Sequence, residues 1–252
     1  LPYFRSNGSM ERRLTSWFSP ALQKEMPISV YGHYGFALLL VPTAAADYLE
    51  YERFQLIDSI SPQIEGGQVK VFSIDSINRE SWMNDHMDPR HKSIRHQQWN
   101  DYVFQEVVPF IRTHTSQETP IIVCGASFGA LHSMNIFLKR PDLFQGVIAM
   151  SGVYDLTEYT KSYFDDDVYF NSPLHYMANL ADHSILEKIR ESRHIHLLSG
   201  RGAYEDPGAT GRFARLLYDK GIHYELDLWG PEWPHDWNTW RHMLPQYLSS
   251  RF

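Results

Sequence analysis

The chain has 252 residues, 43% of them hydrophobic and 14% aromatic, with a formal net charge of −7. That length and apolar content suffice for one α/β domain, 1–252, with a large core, and the acidic balance without any Lys/Arg stripe excludes nucleic acid as a partner, because phosphate binding needs clustered cations. No run approaches the ~18 apolar residues of a membrane helix, and 1–10 lacks the apolar region of a signal peptide, although a leader removed ahead of Leu1 is compatible with the sequence.

In chain order, Glu11 to Phe18 and Met26 to Tyr31 read as two short strands joined through the Ser19-Pro20 turn. Phe36 to Val41 is an almost unbroken apolar run closed by Pro42, as a strand buried on both faces requires. Leu49 to Ile64 carries Phe54, Ile57 and Ile60 at helical spacing and stops at Gly66-Gly67, which predicts one helix. Val69 to Ile74 is the next strand. The stretch Asp75 to Ile94 has no period and reads as a long loop, a feature that inside a compact domain is usually functional or disordered. From Trp99 to Ile111 apolar residues share one helical face, with Pro109 expected to kink it or mark its last turns. Ile121 to Cys124 is a short apolar β-type run, and a helix through Leu131, Met134, Ile136, Phe137 and Leu138 follows the turn after it.

Gly146 to Met150 is a further strand, followed by an irregular segment, about 153–183, rich in Tyr, Phe, Asp and Asn. It reads as a cap or rim over a pocket. His194 to Leu198 and Tyr224 to Leu228 are the last strands, Phe213 to Leu217 marks a helix between them, and Asp236 to Leu248 closes the chain as an amphipathic helix. Strand and helix alternate throughout, so the fold class predicted is a three-layer α/β sandwich, a mostly parallel sheet with helices on both faces, begun by an antiparallel hairpin.

The chemistry concentrates at Cys124-Gly125-Ala126-Ser127-Phe128-Gly129-Ala130. A Gly-x-Ser-x-Gly turn between an apolar strand and a helix reverses the chain so sharply that the central residue is strained and its side chain is thrust out at the end of the strand. A serine hydroxyl is a poor nucleophile unless a base takes its proton and a third group orients that base. In a parallel sheet such groups collect at the carboxyl ends of the strands. The loop after His194–Leu198 presents Glu205 and Asp206, and the loop after Tyr224–Leu228 leads to His235.

The order is therefore Ser, acid, His. Either carboxylate can be the acid; Asp206 is favoured, although its place before Pro207 also suits a helix N-cap. The oxyanion donors expected are the backbone N–H of Phe128, at the helix start, and one from the turn after Val69–Ile74, placed at Ile77.

Other clusters carry less. His86, His91 and His96 lie five apart, on no common helical face, and with Asp85 and Asp88 form a metal candidate that ordinary solvated loop histidines explain better. Asp165-Asp166-Asp167 reads as a solvated turn, with a calcium run as the weaker alternative. Trp229, Trp233, Trp237 and Trp240 could line an acyl pocket or pack the last helix; Trp237 and Trp240 read mostly as packing. Cys124, the single cysteine, has no disulfide partner and lies in an apolar strand, which favours a reducing, cytoplasmic setting.

With these residues in hand, the chain resembles the esterase D-like branch of the α/β-hydrolase superfamily, whose members include feruloyl esterases, S-formylglutathione hydrolases, enterochelin esterases and mycolyl transferases. The likeness rests on the seven-residue elbow motif above, Arg140-Pro141-Asp142-Leu143-Phe144, Ser151-Gly152, and His235-Asp236-Trp237 with Trp240-Arg241. It implies a serine esterase working through an acyl-enzyme on a small-molecule ester, with Ser127 as nucleophile and His235 as base, without metal or organic cofactor. Many relatives carry Met and a double glycine after the nucleophile where this chain has Phe128 and Gly129-Ala130, so the oxyanion site is expected to differ in shape. The same residues would serve an acyltransferase or a thioesterase, a non-catalytic binding protein is the alternative of another class, and a homo-oligomer is left open.

Overall fold

The computed structural model describes residues 10–252; residues 1–9, most of the stretch read for a leader, lie outside the described residues. Eight strands form one sheet: β1 (Arg12–Ser19), β2 (Lys24–Tyr31), β3 (Phe36–Val41), β4 (Val69–Ile74), β5 (Ile121–Ala126), β6 (Gly146–Met150), β7 (His194–Ser199) and β8 (Glu225–Leu228). Their order is β1-β2-β4-β3-β5-β6-β7-β8. β2 runs antiparallel to both neighbours and every pair from β4 to β8 is parallel, which is the sheet expected from the alternation of elements. β5 is central, flanked by β3 and β6.

The central strands read as continuous apolar runs because alternate residues feed two cores. On β3 and β5, Ala37, Leu39, Ile121 and Val123 enter one cluster, while Leu38, Leu40, Ile122 and Cys124 enter the other. The first core is closed by α4 (Pro89–Tyr102), α5 (Val108–His114), α6 (Phe128–Lys139), α9 (His183–Arg190) and α10 (Pro207–Asp219). The second is closed by α1 (Glu50–Arg53), α2 (Leu56–Ser59), α3 (Ser61–Glu65) and α11 (Trp237–Arg251). Two short helices, α7 (Asp166–Phe170) and α8 (Pro173–Asn179), lie in the segment read as a cap.

Departures from the sequence reading have local causes. The helix expected over Leu49–Ile64 is three short ones, because Gln55 adopts φ 63° and Pro62 opens a new first turn. The loop expected over Asp75–Ile94 ends early: Asp88 caps the amides of Arg90 and His91, and Pro89 at the first position starts α4. Pro109 introduces the last turns of this rod, α5, and in place of a kink a widened π turn over Val103–Val107 accommodates the ring and the missing N–H without breaking the rod from Pro89 to His114. Helix α9, capped by Asp182, occupies a stretch to which the sequence pattern assigns no element.

Candidate active site

Ser127 stands between the last residue of β5 and the first of α6, with φ 59° and ψ −125°, a conformation that ordinary residues avoid. The flanking glycines make this reversal possible. A Cβ on Gly125 would sit 2.4 Å from the Gly129 carbonyl oxygen, and one on Gly129 would sit 2.4 Å from that of Pro42. The turn is pinned from two sides. The Ser127 N–H donates to the Met150 carbonyl (2.9 Å), and the Ala126 N–H donates to the Tyr51 hydroxyl (3.1 Å), which itself donates to the Val41 carbonyl (2.6 Å). Tyr51 is fully buried; it bridges β3 and β5 where their pairing ends.

The loops after β7 and β8 are laced together by backbone bonds. Gly202 N–H donates to the Trp233 carbonyl and His235 N–H to the Ala203 carbonyl, both at 2.9 Å. Gly200 and Gly202 permit this approach, since a Cβ on either would meet the Trp233 backbone within 2.7 Å. The lacing sets His235 beside Glu205. His235 Nε2 lies 2.9 Å from Ser127 Oγ and Nδ1 lies 3.1 Å from Glu205 Oε2. An ionised carboxylate only accepts, so Nδ1 carries the proton, Nε2 presents its lone pair, and the Ser127 hydroxyl donates to it.

Glu205 is held at three points. Its side chain is 1% exposed, and its Oε1 accepts from the Ser151 hydroxyl (2.6 Å) and the Gly200 N–H (3.1 Å). Ser151 in turn accepts from the indole N–H of Trp240 (3.0 Å). The preceding residue, Tyr204, takes φ 64°, the turn that sends Glu205 inward while the Tyr204 ring stays exposed.

Asp206, the carboxylate favoured from the sequence, points elsewhere. Its side chain accepts from the Ala209 N–H (2.9 Å) and caps α10; the structure brings Ser127, His235 and Glu205 together and leaves Asp206 as the cap. Phe128 opens α6, so its N–H faces outward beside Ser127 without a helical acceptor. Ile77 lies beyond the end of a strand that does not border β5. It follows β4, which β3 separates from β5, and its side chain is buried in the first core. The segment that abuts the elbow is the one after β3, where the Val41 and Pro42 carbonyls touch Gly129.

A family model described as "Putative esterase" matches residues 52–251. The chain belongs to this esterase family. Among solved structures, a ferulic acid esterase superposes with a TM-score of 0.72 at 17% identity, covering 96% of this chain and 97% of its own. An S-formylglutathione hydrolase from Agrobacterium tumefaciens gives 0.69 at 15%, covering 95% and 94%. A ferulic acid esterase from the fungus Anaeromyces mucronatus gives 0.69 at 12%, covering 98% and 93%. These likenesses establish the α/β-hydrolase fold. A search of curated proteins returns no match.

Around the elbow the esterase presents aromatic walls. The Phe128 ring stacks on Tyr159 at 3.9 Å and leans on His132 at 4.3 Å. Leu156, Tyr159, Tyr163 and Val168 of the segment 153–183 pack with Phe128, Leu131 and Trp82, so this segment is seated on the start of the elbow helix. On the other side Trp237 stacks on Phe54 at 4.6 Å and Trp240 meets the His235 ring edge-on at 5.2 Å. Trp240, read as packing, thus also supports Glu205 through Ser151; neither residue's part is legible in the sequence, because it depends on two loops meeting.

Of the histidines considered together, His86 and His91 are exposed, whereas His96 is buried and accepts from the Trp82 indole at 3.0 Å. Among the described residues no cluster of three or more His, Cys, Asp or Glu could hold a metal. Asp165 caps α7, and Arg90 bridges Asp165 and Asp167 at 2.9 Å. A cavity of about 430 Å³ lined by Phe36, Ile122, His194 and Phe252 opens at the amino ends of the strands, opposite Ser127. Among the described residues no helix is long and apolar enough to cross a membrane.

Proposed function

We propose that the esterase cleaves carboxylic esters through an acyl-enzyme formed on Ser127. The observation that carries this reading is the continuous chain of bonds from Ser127 Oγ through His235 to Glu205, at 2.9 and 3.1 Å. Ser127 Oγ attacks the acyl carbon as His235 Nε2 takes its proton. The imidazolium that forms is stabilised by Glu205, which the Ser151 and Gly200 donors hold in place, and it returns the proton to the leaving alkoxide. Water then repeats the sequence on the acyl-enzyme and releases the acid.

The oxyanion formed in each half requires two aligned N–H donors. The Phe128 N–H supplies one. The second is assigned to Ala44, in the segment after β3, rather than to Ile77, because that segment lies against the elbow and the Thr43 N–H is already given to Glu50 (2.9 Å). The chemistry calls for no metal or organic cofactor. The segment 153–183 caps the site through Tyr159 and its neighbours, and the buried free thiol of Cys124 fits a reducing, cytoplasmic compartment.

The test is intact-mass labelling with a fluorophosphonate. Wild type takes one adduct and Ser127→Ala takes none, with aryl-ester hydrolysis lost in parallel. A folded wild type that takes no label removes the mechanism.

A further inference from the structure

The segment after β3 is Thr43-Ala44-Ala45-Ala46, and its three alanines have no side-chain polar groups, yet it is tied down at every residue. Asn78 Nδ2 donates to the Ala44 carbonyl (2.7 Å), Arg79 Nε to that of Ala45 (2.7 Å) and the Ser76 hydroxyl to that of Ala46 (2.8 Å). Thr43 donates its N–H and its hydroxyl to the buried Glu50, and the Tyr48 N–H goes to Asp75 (2.7 Å). Surface loops ordinarily leave such carbonyls to water; here side chains from the turn after β4 capture three in succession.

The tethers leave one kind of group unclaimed. Among the described residues the N–H groups of Ala44 and Ala45 donate to no protein acceptor, and Ala44 is exposed beside the elbow. Backbone N–H is the only recognition chemistry an alanine run offers. Its carbonyls are drawn toward the β4 turn, so the loop has the form of a fixed donor array.

Asn78 joins this array to the nucleophile. It is 2% exposed, and its Oδ1 lies 3.2 Å from Nε2 of His132 on α6, the helix whose first residue is Phe128. The Ala44 carbonyl can only accept, so Nδ2 must face it and Oδ1 must face a donor; His132 therefore carries its proton on Nε2. Burial pushes the His132 pKa down to about 3, which keeps the ring neutral in that role, and its Nδ1 has no partner.

We propose that Asn78 is a positioning residue for ester cleavage: by bonding both Ala44 and His132 it sets the spacing between the two oxyanion donors, with Arg79 and Ser76 completing the clamp. The inference rests on the serine-esterase reading above. Ground-state binding does not need that spacing, whereas the tetrahedral oxyanion does.

Asn78→Asp is the decisive variant, because it is isosteric, keeps the acceptor for His132 and sets a second oxygen against the Ala44 carbonyl. Active sites are counted by exhaustive fluorophosphonate labelling, and kcat per labelled site, KM and the Ki of an aryl trifluoromethyl ketone, whose adduct with a serine carries an oxyanion, are compared with wild type. Displacing one donor predicts a kcat loss of about 10- to 100-fold, KM within about 3-fold, and a Ki weakened by the same factor as kcat/KM. Arg79→Ala, at an exposed side chain, predicts the same pattern at about 3- to 10-fold and carries the test if the first variant does not fold. A loss confined to the labelled fraction, with kcat per site unchanged, overturns the proposal and leaves the esterase reading intact. A wild type that takes no label overturns both.

Discussion

Replacing Glu205 by Gln tests which carboxylate works, and the structure fixes the outcome in steps. Position Oε1 faces two donors, the Ser151 hydroxyl and the Gly200 N–H, so the amide oxygen of the variant must take it. The NH₂ group then faces His235 Nδ1 at the place where Oε2 now stands 3.1 Å away. A donor there forces Nδ1 to accept and moves the imidazole proton to Nε2, against Ser127 Oγ, where a lone pair is required. The base is present but in the wrong tautomer. Loss of the orienting charge and of the tautomer together is worth about 10³- to 10⁴-fold in kcat, or about 4–5.5 kcal/mol of barrier. The companion variant Asp206→Ala removes only the α10 cap, at about 1 kcal/mol of stability, and keeps kcat within about 3-fold. Steady-state hydrolysis of an aryl acetate, normalised to folded protein, reads both. Retention of more than about a tenth of wild-type kcat in Glu205→Gln, or a collapse of activity in Asp206→Ala alone, would refute the assignment.

Two stability predictions concern Tyr51, under the elbow, and Asp75, half-buried at the end of β4. Tyr51→Phe leaves the Val41 carbonyl and the Ala126 N–H without their partner; with each unsatisfied buried group costing on the order of 1 kcal/mol or more, the urea midpoint falls by the equivalent of about 2–3 kcal/mol at unchanged m. Asp75 has its pKa pushed up from 3.8 to about 6, chiefly because burial penalises its charge, with Asp47 adding to the shift and the bond from Tyr48 opposing it. A carboxyl whose native pKa lies above its unfolded one favours folding when protonated, so its contribution is present below 3.8 and is lost as pH rises through about 6. Asp75→Asn keeps an oxygen for Tyr48 and removes the charge; discounted for partial exposure, it should be more stable than wild type by about 1–2 kcal/mol at pH 7, the difference vanishing at low pH. Chemical denaturation across pH measures this, and a pH-independent difference would contradict it.

The composition, the alternation of apolar strands with amphipathic helices, and the Gly125-x-Ser127-x-Gly129 turn between β5 and α6 carried the fold class, the order of the elements and the placement of Ser127. These are local signals: periodicity reports which faces are buried, and glycine reports where a backbone must approach another. The order of Ser127, the 205–206 pair and His235 was equally readable, because it follows from which strand each loop leaves.

The helix boundaries at Gln55 and Pro89 were not readable with the same ease, since a left-handed residue without glycine and a loop that turns helical midway leave weak traces in composition. The orientation of Glu205 was decided by tertiary structure. Adjacent carboxylates are equivalent in sequence, and only the φ of 64° at Tyr204, the cap taken by Asp206, and the Ser151 hydroxyl arriving from the next strand distinguish them. The loop after β3, proposed above as the second donor, is the same kind of case. The sequence places a donor at Ile77 in the turn after β4, whereas that turn bonds the alanines after β3 through the side chains of Ser76, Asn78 and Arg79. Which strand lies beside β5 is a property of the assembled sheet, set by how distant segments pack, and no local pattern records it.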